Sequence, residues 1–426
     1  MYLVLKVYSF IFYLITPLLL LKLWRRGKKS PAYRQRIAER FGFASQSVDQ
    51  SPLWIHAVSV GEVVAIAPLI RRLHLQYPEQ AILLTTSTPT GAQRVRKLFK
   101  NNAKVFHQYC PYDQPCAVSR FLSKHQPIGL LIVETELWPN MLAQCKQRAI
   151  PVMLANGRMS KKSKRGYQKL ASMTATMLSQ VDLLVAQYAS DGEQFKKLGL
   201  SAHKLIVSGS VKFDMIIGEN VLSDAAAFKA RAGSRATIIL GSSHVSEEQG
   251  VLEQMADIWQ QYPDMLLIIV PRHPERFSEV AELATQYTNQ VLRRSQSDIN
   301  EQCQVYIGDT MGELSMLYAC ADIAVVGGSF VALGGQSPIE PAAVGKGVIM
   351  GPQQYNFSVI CPQMQDAGGL VTCDDFNELQ QQLISLFADT KKIQAMGECA
   401  LGYVSAQRGA SETLFKNVEQ LFLIKK

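Results

Sequence analysis

Acidic residues occur where predicted strands give way to helices, and such positions suit proton transfer. An apolar run at 53–57 is followed by a turn at Ser59 and Gly61, and Glu62 then opens a predicted helix. Ligands of α/β proteins bind at the carboxyl ends of parallel strands. A carboxylate there can act as a general base for a hydroxyl group. It can instead only complement the helix dipole, which would lower its pKa, and the sequence leaves both roles open.

A second acidic segment, 134–140, reads E-T-E-L-W-P-N and follows the apolar run that ends at Val133. Two carboxyl groups at the end of a buried strand are costly unless they are used or paired. Because side chains alternate along an extended chain, Glu134 and Glu136 should point to the same side. A chemical role and a structural one, capping a helix predicted from Asn140, are equally compatible with the sequence.

A basic segment follows the next predicted strand. It comprises Asn156-Gly157-Arg158-Met159-Ser160 and then Lys161, Lys162, Lys164 and Arg165. Such a run can bind a phosphate group or form a solvated face.

Glycine-rich turns recur after the strands predicted in the second half of the chain, at 241–244, 308–313, 327–330 and 334–341. Turns of this kind offer backbone N–H groups to an anion. Arg272, after another strand, can grip a phosphate with two hydrogen bonds, and Glu340 can accept hydrogen bonds from ribose hydroxyl groups. Together these turns predict a nucleotide site.

Several common motifs are missing, and this excludes other function classes. The lysine of Gly345-Lys346-Gly347 lacks the Ser or Thr that a Walker motif needs, and no G-x-G-x-x-G follows the first strand. No D-x-D motif is present to hold a metal on a sugar diphosphate, and the eight cysteines form no C-x-x-C pair. The sequence therefore predicts neither a metal site nor a cofactor.

Beyond residue 50, short apolar runs alternate with amphipathic segments, which predicts parallel sheets covered by helices. The predicted strands are 53–57, 81–86, 128–133, 151–155, 183–186, 205–207, 237–240, 266–270, 305–307, 323–326 and 348–350. Residues 214–235 lose strand character. We therefore predict two Rossmann-like doubly wound α/β domains, 30–215 and 216–426, that face a common cleft.

The net charge of +9 is concentrated at one end, because residues 1–50 carry nine basic and two acidic side chains. The nearly neutral remainder argues against a nucleic-acid partner. Residues 7–21 are apolar and uncharged, shorter than the ~20 residues of a spanning helix, and include Pro17. We predict an uncleaved membrane anchor at 1–24 that spans or lies in the bilayer. A buried core helix is the alternative. The basic cluster at 25–29 predicts that the remainder is cytoplasmic.

The ordered set of motifs resembles the 3-deoxy-D-manno-octulosonic acid (Kdo) transferases over almost the whole chain. It comprises S-V-G-E, E-T-E-L-W-P-N, V-K-F-D at 211–214, V-P-R-H-P-E-R-F, G-D-T-M-G-E-L and G-G-S-F…G-G-Q-S-P-I-E-P. The resemblance implies a glycosyltransferase-B fold and an inverting, metal-independent reaction. The donor would be CMP-Kdo and the acceptor a lipid A precursor at the cytoplasmic face of the bacterial inner membrane.

By motif match, the resemblance implies that Glu62 is the catalytic base and that Glu134 and Lys212 stabilise the transition state. The implied CMP-binding residues are Pro271, Arg272, Met311, Gly312, Glu313, Ser337, Pro338, Ile339 and Glu340. One departure stands out, because Gln336-Ser337 replaces the His-Asn pair that the family usually has. A related transferase that uses a UDP-sugar is the first alternative. A membrane-docked protein that binds a nucleotide or lipid without turnover is the second.

Overall fold

The computed structural model describes residues 2–43, 48, 51–159, 161–215 and 217–424. They divide into two compact units. Unit 1 comprises Met1–Asp214 together with Arg408–Lys426, and unit 2 comprises Met215–Gln407. Among the described residues, each unit contains one parallel sheet of seven strands with an apolar core on either face. The predicted pair of doubly wound α/β domains is confirmed.

The strands are β1 (Leu53–His56), β2 (Ile82–Thr86), β3 (Val105–Tyr109), β4 (Gly129–Val133), β5 (Val152–Gly157), β6 (Leu183–Ala186), β7 (Leu205–Val207), β8 (Thr237–Ser243), β9 (Leu266–Pro271), β10 (Val291–Arg293), β11 (Val305–Ile307), β12 (Ile323–Val326), β13 (Gly347–Met350) and β14 (Leu370–Thr372).

The helices are α1 (Tyr2–Lys29), α2 (Val60–Gln76), α3 (Pro89–Leu98), α4 (Pro115–His125), α5 (Pro139–Gln147), α6 (Lys161–Lys169), α7 (Ala171–Ser179), α8 (Ala189–Lys197), α9 (Val221–Arg231), α10 (Glu247–Gln261), α11 (Phe277–Ala284), α12 (Leu314–Cys320), α13 (Ile339–Ala343), α14 (Ile360–Asp366), α15 (Phe376–Phe387), α16 (Thr390–Ala406) and α17 (Ala410–Val418).

The strand order in each sheet reverses once, and each reversal creates a crevice. Unit 1 has the order β3-β2-β1-β4-β5-β6-β7, and unit 2 has the order β10-β11-β9-β8-β12-β13-β14. The direction of winding changes between β1 and β4 in unit 1 and between β8 and β12 in unit 2. Ligands of doubly wound sheets bind at these points, at the carboxyl ends of the strands.

Three strands escape the sequence prediction, and all three lie at sheet edges. They are β3, β10 and β14. The strand β3 reads V-F-H-Q-Y and is half-buried over its first residues, while β10 is half-buried throughout. An edge strand has a neighbour on one side only, so it needs no continuous apolar run of the kind found in central strands.

The C-terminal segment corrects the predicted domain boundaries. We assigned it to the second domain, but Arg408–Lys426 belongs to unit 1. The reason is hydrophobic: Leu414, Phe415 and Val418 of α17 are buried in the core cluster beside α2. Burial of each such side chain contributes about 1.5–3 kcal/mol, which favours the return of the chain to unit 1.

The N-terminal helix α1 is longer than the predicted anchor, because it continues through Pro17 to Lys29. Its stretch Leu3–Lys28 is long and apolar enough to cross a membrane, and only 11% of its most apolar window is buried. It therefore does not resemble a core helix. One face nevertheless packs on unit 1, where Ser9 Oγ donates to Asn140 Oδ1 at 3.0 Å and Gln114 Nε2 donates to Thr16 Oγ1 at 2.6 Å.

Candidate functional site

Glu62 lies at the start of α2, where it forms a capping box with Ser59. Ser59 Oγ accepts a hydrogen bond from Glu62 N at 3.4 Å and donates to Glu62 Oε1 at 2.8 Å, and Val58 N donates to Glu62 Oε2 at 2.6 Å. The residue is 9% exposed. Burial raises the pKa of Glu62, and Glu134 raises it further, against the lowering effect of these hydrogen bonds. The low pKa considered from the helix dipole is therefore wrong.

Glu134 and Glu136 follow β4, next to β1 in the sheet. Glu134 has φ 62°, a left-handed conformation that non-glycine residues adopt mainly at functional sites and tight turns. Burial, with the charges of Glu62 and Glu134, raises the pKa of Glu136 to about 7. The capping role considered for these acids belongs instead to Asp113, whose carboxylate accepts from Asn140 N at 2.9 Å and Met141 N at 2.8 Å at the start of α5.

The hydroxyl group of Thr135 joins the acidic segment 134–136 to the turn that follows β5. Thr135 Oγ1 donates to the carbonyl oxygen of Arg158 and accepts from Arg158 N at 3.2 Å. The backbone of Arg158 therefore lies next to the acidic segment, and its side chain is exposed. Of the remaining basic segment, Lys164 and Arg165 lie on α6, whereas Ser160 and the side chains of Lys161 and Lys162 lie outside the described residues.

Lys212 lies in a short 3-10 helix, Val211–Asp214, that follows β7. Partial desolvation lowers the pKa of Lys212, the charge of Glu134 raises it, and Arg158 lowers it, although the side chain stays open to solvent. These interactions show that unit 1 brings Glu62, Glu134 and Lys212 together. The turn itself is held by Asp214, which accepts from Gly409 N at 2.7 Å and Ser411 N at 2.5 Å.

In unit 2, the protein's own carboxylate occupies a turn that we predicted to bind an anion. Glu247 is fully buried, and its carboxylate accepts hydrogen bonds from the backbone N–H groups of Gly328, Ser329 and Phe330 at 2.7, 3.1 and 3.0 Å. It also accepts from His244 N at 2.9 Å. The carboxylate of Glu247 therefore stabilises the turns at 241–244 and 327–330. The N–H groups that it binds are not available to a nucleotide.

Arg272 and Glu340 form the strongest candidate for binding a nucleotide in unit 2. Arg272 follows β9, after the buried Pro271, and its side chain is exposed. Burial raises the pKa of Glu340, and the positive charge of Arg272 lowers it, so the two side chains lie near each other. By contrast, Arg276 pairs with the buried Glu248 at 2.7 Å, which makes it structural.

The segment 311–313 follows β11, the neighbour of β9, but the carboxylate of Glu313 is already bound. It accepts from Arg294 Nη2 at 2.9 Å and from the hydroxyl group of Thr310. The Arg294 guanidinium and the Thr310 hydroxyl lower the pKa of Glu313. Met311 is 70% exposed and Gly312 has φ 98°, so the backbone and Met311 are what this turn offers to a ligand.

The loop before α13 presents mainly backbone atoms. Gln336 N donates to Gly327 O at 2.9 Å, and its side-chain Nε2 lies 3.2 Å from His244 Nε2. Pro338 and Ile339 are buried, so of the predicted CMP-binding side chains here only Ser337 and Glu340 are partly exposed. A β-carbon at Gly241 would collide with the hydroxyl group of Tyr318, whose pKa is raised by burial and by Glu340.

Sequence reasoning gave too little weight to three residues of unit 1. Glu136 shares the acidic cluster, Asp214 holds the Lys212 turn, and Asn156 joins β5 to that turn through a hydrogen bond from Val211 N at 3.4 Å. Asn156 has φ 57° and is fully buried. The A-N-G-R and V-K-F-D motifs contained Asn156 and Asp214, but their contacts are long-range. Among the described residues, no group of three His, Cys, Asp or Glu side chains is placed to hold a metal ion.

Comparisons of the sequence with known proteins identify its family. The family model described as 3-deoxy-D-manno-octulosonic-acid transferase (kdotransferase) matches residues 35–215. A 3-deoxy-D-manno-octulosonic acid transferase of Haemophilus influenzae is 36% identical over 412 residues, 96% of either chain. The enzyme of that name from Bordetella pertussis is 33% identical over 417 residues, 95% of this chain and 96% of the relative.

Among solved structures, a glycosyltransferase from Rickettsia africae matches with a TM-score of 0.56 at 12% identity, covering 89% of this chain and 100% of that one. At that identity the match supports the fold alone. The relatives, which align from end to end at more than 30% identity, decide the family: this chain belongs to the Kdo transferases and is a glycosyltransferase.

Proposed function

We propose that this glycosyltransferase moves Kdo from CMP-Kdo to a glucosamine hydroxyl group of a lipid A precursor, with inversion at the sugar carbon. The observation that carries the proposal is the cluster of Glu62, Glu134 and Lys212 at the crevice of unit 1. In the reaction the acceptor oxygen bonds to the anomeric carbon, the bond to phosphate breaks, and CMP leaves.

Glu62 is proposed as the general base that takes the proton of the acceptor hydroxyl. Its raised pKa supports this role, because a base is most effective when its pKa lies near the working pH. Hydrogen bonds from Val58 N and Ser59 Oγ use two of about four lone-pair positions on the carboxylate. The others remain to receive the acceptor proton, and the two bonds fix the orientation of the group.

Glu134 and Lys212 are proposed to stabilise the transition state. The bond to CMP breaks as positive charge develops on the sugar and negative charge on the phosphate. A carboxylate and an ammonium group that are already in place stabilise such charges without reorganisation. The left-handed backbone conformation of Glu134 fixes the direction of its side chain. The hydrogen bonds from Gly409 N and Ser411 N to Asp214 hold the turn that carries Lys212.

The donor is proposed to bind unit 2 through Arg272 on the phosphate and Glu340 on the ribose hydroxyl groups. Met311, Gly312, Ser337, Pro338 and Ile339 would contribute backbone atoms or short side-chain contacts. Pro271 would position Arg272, and Glu313 would shape the turn through Arg294. The guanidinium of Arg272 can pair with a single phosphate, so we propose a reaction without a metal ion.

The helix α1 and its basic collar, Lys22, Arg25, Arg26 and Lys28, are proposed to hold the enzyme at the cytoplasmic face of the bacterial inner membrane. All four side chains of the collar are exposed. Basic residues beside an apolar helix attract anionic lipid head groups. This location would keep the acceptor lipid close to unit 1.

The test is an assay of the purified full-length enzyme with CMP-Kdo and a tetra-acylated lipid A precursor, read by mass spectrometry of the lipid. We expect the lipid to gain one or more Kdo masses while CMP is released. Binding of CMP without transfer to the lipid would contradict the proposed acceptor, and selective binding of UDP over CMP would contradict the proposed donor.

A further inference from the structure

An apolar groove lies in unit 1 where α1, α5 and α7 meet. It encloses about 150 Å³, roughly ten times the volume that one water molecule needs. Its lining includes Val4 and Leu5 of α1, Pro139 and Ala143 of α5, and Met173 and Met177 of α7. Methionine side chains adapt to irregular apolar ligands, so the groove suits a flexible hydrocarbon chain.

The groove is continuous with the exposed apolar surface of α1. Leu3, Val4 and Val7 are 73%, 44% and 51% exposed, and they belong to the stretch that is apolar enough to enter a membrane. The opposite face of α1 is fixed to unit 1 by the Ser9–Asn140 and Gln114–Thr16 hydrogen bonds. A chain from the hydrocarbon layer can therefore pass along α1 into a preformed groove.

One of the helices that line the groove, α5, begins just after the acidic cluster in the chain. Pro139, the first residue of α5, stands three positions after Glu136, and three residues span at most about 11 Å. On the other side, α7 follows α6, and Thr174 Oγ1 donates to the carbonyl oxygen of Tyr167 at 2.9 Å. Tyr167 lies close enough to Glu136 for that carboxylate to add to the effect of burial in raising its pKa.

The segments between the groove and the cluster also offer positive charge. Lys164 and Arg165 lie on α6, half-buried and exposed respectively. A lipid whose chain fills the groove would thus hold its polar head between a cationic helix and the acidic cluster. Any membrane lipid offers a hydrocarbon chain, but only the acceptor needs its head beside Glu62 and Glu134.

We propose that this groove binds one acyl chain of the acceptor lipid and thereby makes the enzyme selective for acylated acceptors. The inference rests on the proposed transfer to a lipid acceptor. Seating one chain fixes the distance from membrane to hydroxyl group and removes part of the entropy cost of bringing acceptor and base together.

The test compares two acceptors, the tetra-acylated lipid A precursor and its deacylated glucosamine disaccharide, in detergent with CMP-Kdo. Ala143→Trp fills the groove, and Ala171→Trp is the matched control, because Ala171 is exposed on α7 outside the groove lining. We expect Ala143→Trp to reduce the preference for the acylated acceptor, measured as kcat/KM, about tenfold. Ala171→Trp should leave that preference as in the wild type.

A second measurement covers the case in which Ala143→Trp misfolds or the deacylated acceptor turns over too slowly. An acceptor analogue with a photoreactive acyl chain should label peptides from α5 and α7 in the wild-type protein. Labelling of other segments only would overturn the proposal, as would an unchanged preference in a folded Ala143→Trp. Weaker binding of Ala143→Trp to vesicles, with an unchanged preference for the acylated acceptor, would also overturn the proposal. The groove would then be a general membrane contact. Failure of the wild type to transfer Kdo, with labelling intact, would count against the proposed reaction alone.

Discussion

The carboxyl group of Glu62 takes part in two features of the structure, and one conservative substitution can separate their contributions. It completes the N-terminal cap of α2, and it belongs to the acidic cluster with Glu134 and Glu136. A cap contributes about 1 kcal/mol to stability, whereas a general base contributes about 10²–10⁴ in rate. Loss of stability would therefore indicate the capping role, and loss of rate without loss of stability would indicate the role as general base.

We expect Glu62→Gln to lower kcat at least about 100-fold with little change in thermal stability, because glutamine can still close a capping box but cannot take a proton. Kdo transfer and the midpoint of thermal unfolding are the measurements.

The matched control is Glu378→Gln. Glu378 forms the same kind of cap on α15, where Asp375 Oδ1 accepts from Glu378 N at 2.8 Å and Glu378 Oε2 accepts from Asp374 N at 2.6 Å. This variant should keep full activity. If Glu62→Gln is equally active, Glu62 is a cap and not the base.

The acidic cluster should make stability depend on pH. The pKa of Glu136 is about 7 in the folded protein against a usual 4.5. Because the folded state keeps this proton longer than the unfolded chain, the associated stabilisation is complete below about pH 4.5. This stabilisation is lost as the pH rises to 7, so the free energy of unfolding falls by about 2 kcal/mol.

Glu136→Gln cannot ionise and should escape that loss. We expect the difference in free energy of unfolding between variant and wild type to grow in favour of the variant from pH 5 to about pH 7, measured by urea unfolding in detergent. Parallel pH profiles would contradict the raised pKa.

At the scale of elements, the segment after unit 2 completes the site in unit 1. Helix α17 buries Leu414 and Phe415 beside α2, and its first turn supplies the N–H groups that hold Asp214. The Lys212 turn is therefore fixed by residues almost two hundred positions away in the chain.

Asp214→Ala should loosen the Lys212 turn, because it leaves Gly409 N and Ser411 N without their acceptor. Small displacements of a positioning group can cost up to about 100-fold in rate. We expect kcat to fall about tenfold and amide hydrogen exchange at 210–213 and 409–412 to speed up.

Asp224→Ala is the control, because Asp224 is exposed on α9. Faster exchange in Asp214→Ala with an unchanged kcat would show that the position of Lys212 does not matter for the reaction.

At the scale of the whole molecule, the uneven charge governs where the protein binds. Residues 1–50 hold most of the net charge of +9, and the collar lies at the end of the apolar helix α1. A basic residue near an anionic membrane contributes about 1 kcal/mol, and salt screens this attraction because the Debye length falls to about 3 Å at 1 M.

Replacing the whole collar by glutamine should weaken binding to phosphatidylglycerol vesicles by at least about tenfold at low salt, and less at about 1 M salt. Binding to neutral phosphatidylcholine vesicles should change little. Cosedimentation measures both, and the substituted residues are Lys22, Arg25, Arg26 and Lys28.

The control removes the same number of charges from exposed positions elsewhere, at Lys97, Lys100, Lys391 and Lys392. Equal losses for the two variants would show that total charge, and not the collar, governs membrane binding.

Local patterns in the sequence were enough to predict the central strands, the turn at Ser59 and Gly61 after which Glu62 opens a helix, and the apolar N-terminal segment. Each depends on neighbouring residues, because an apolar run, a turn and a hydropathy window all act within a few positions of the chain. The edge strands β3, β10 and β14 lacked such a pattern and were missed.

Only the tertiary structure decided the features that depend on residues far apart in sequence. The carboxylate of Glu247 fills the turn at 328–330 across 81 positions, and Asp214 holds Gly409 across 195. The raised pKa of Glu62 depends on burial and on Glu134, which belongs to another strand end. Hydrogen bonds and charges act through space, so a sequence pattern can name these groups but cannot show which of them meet.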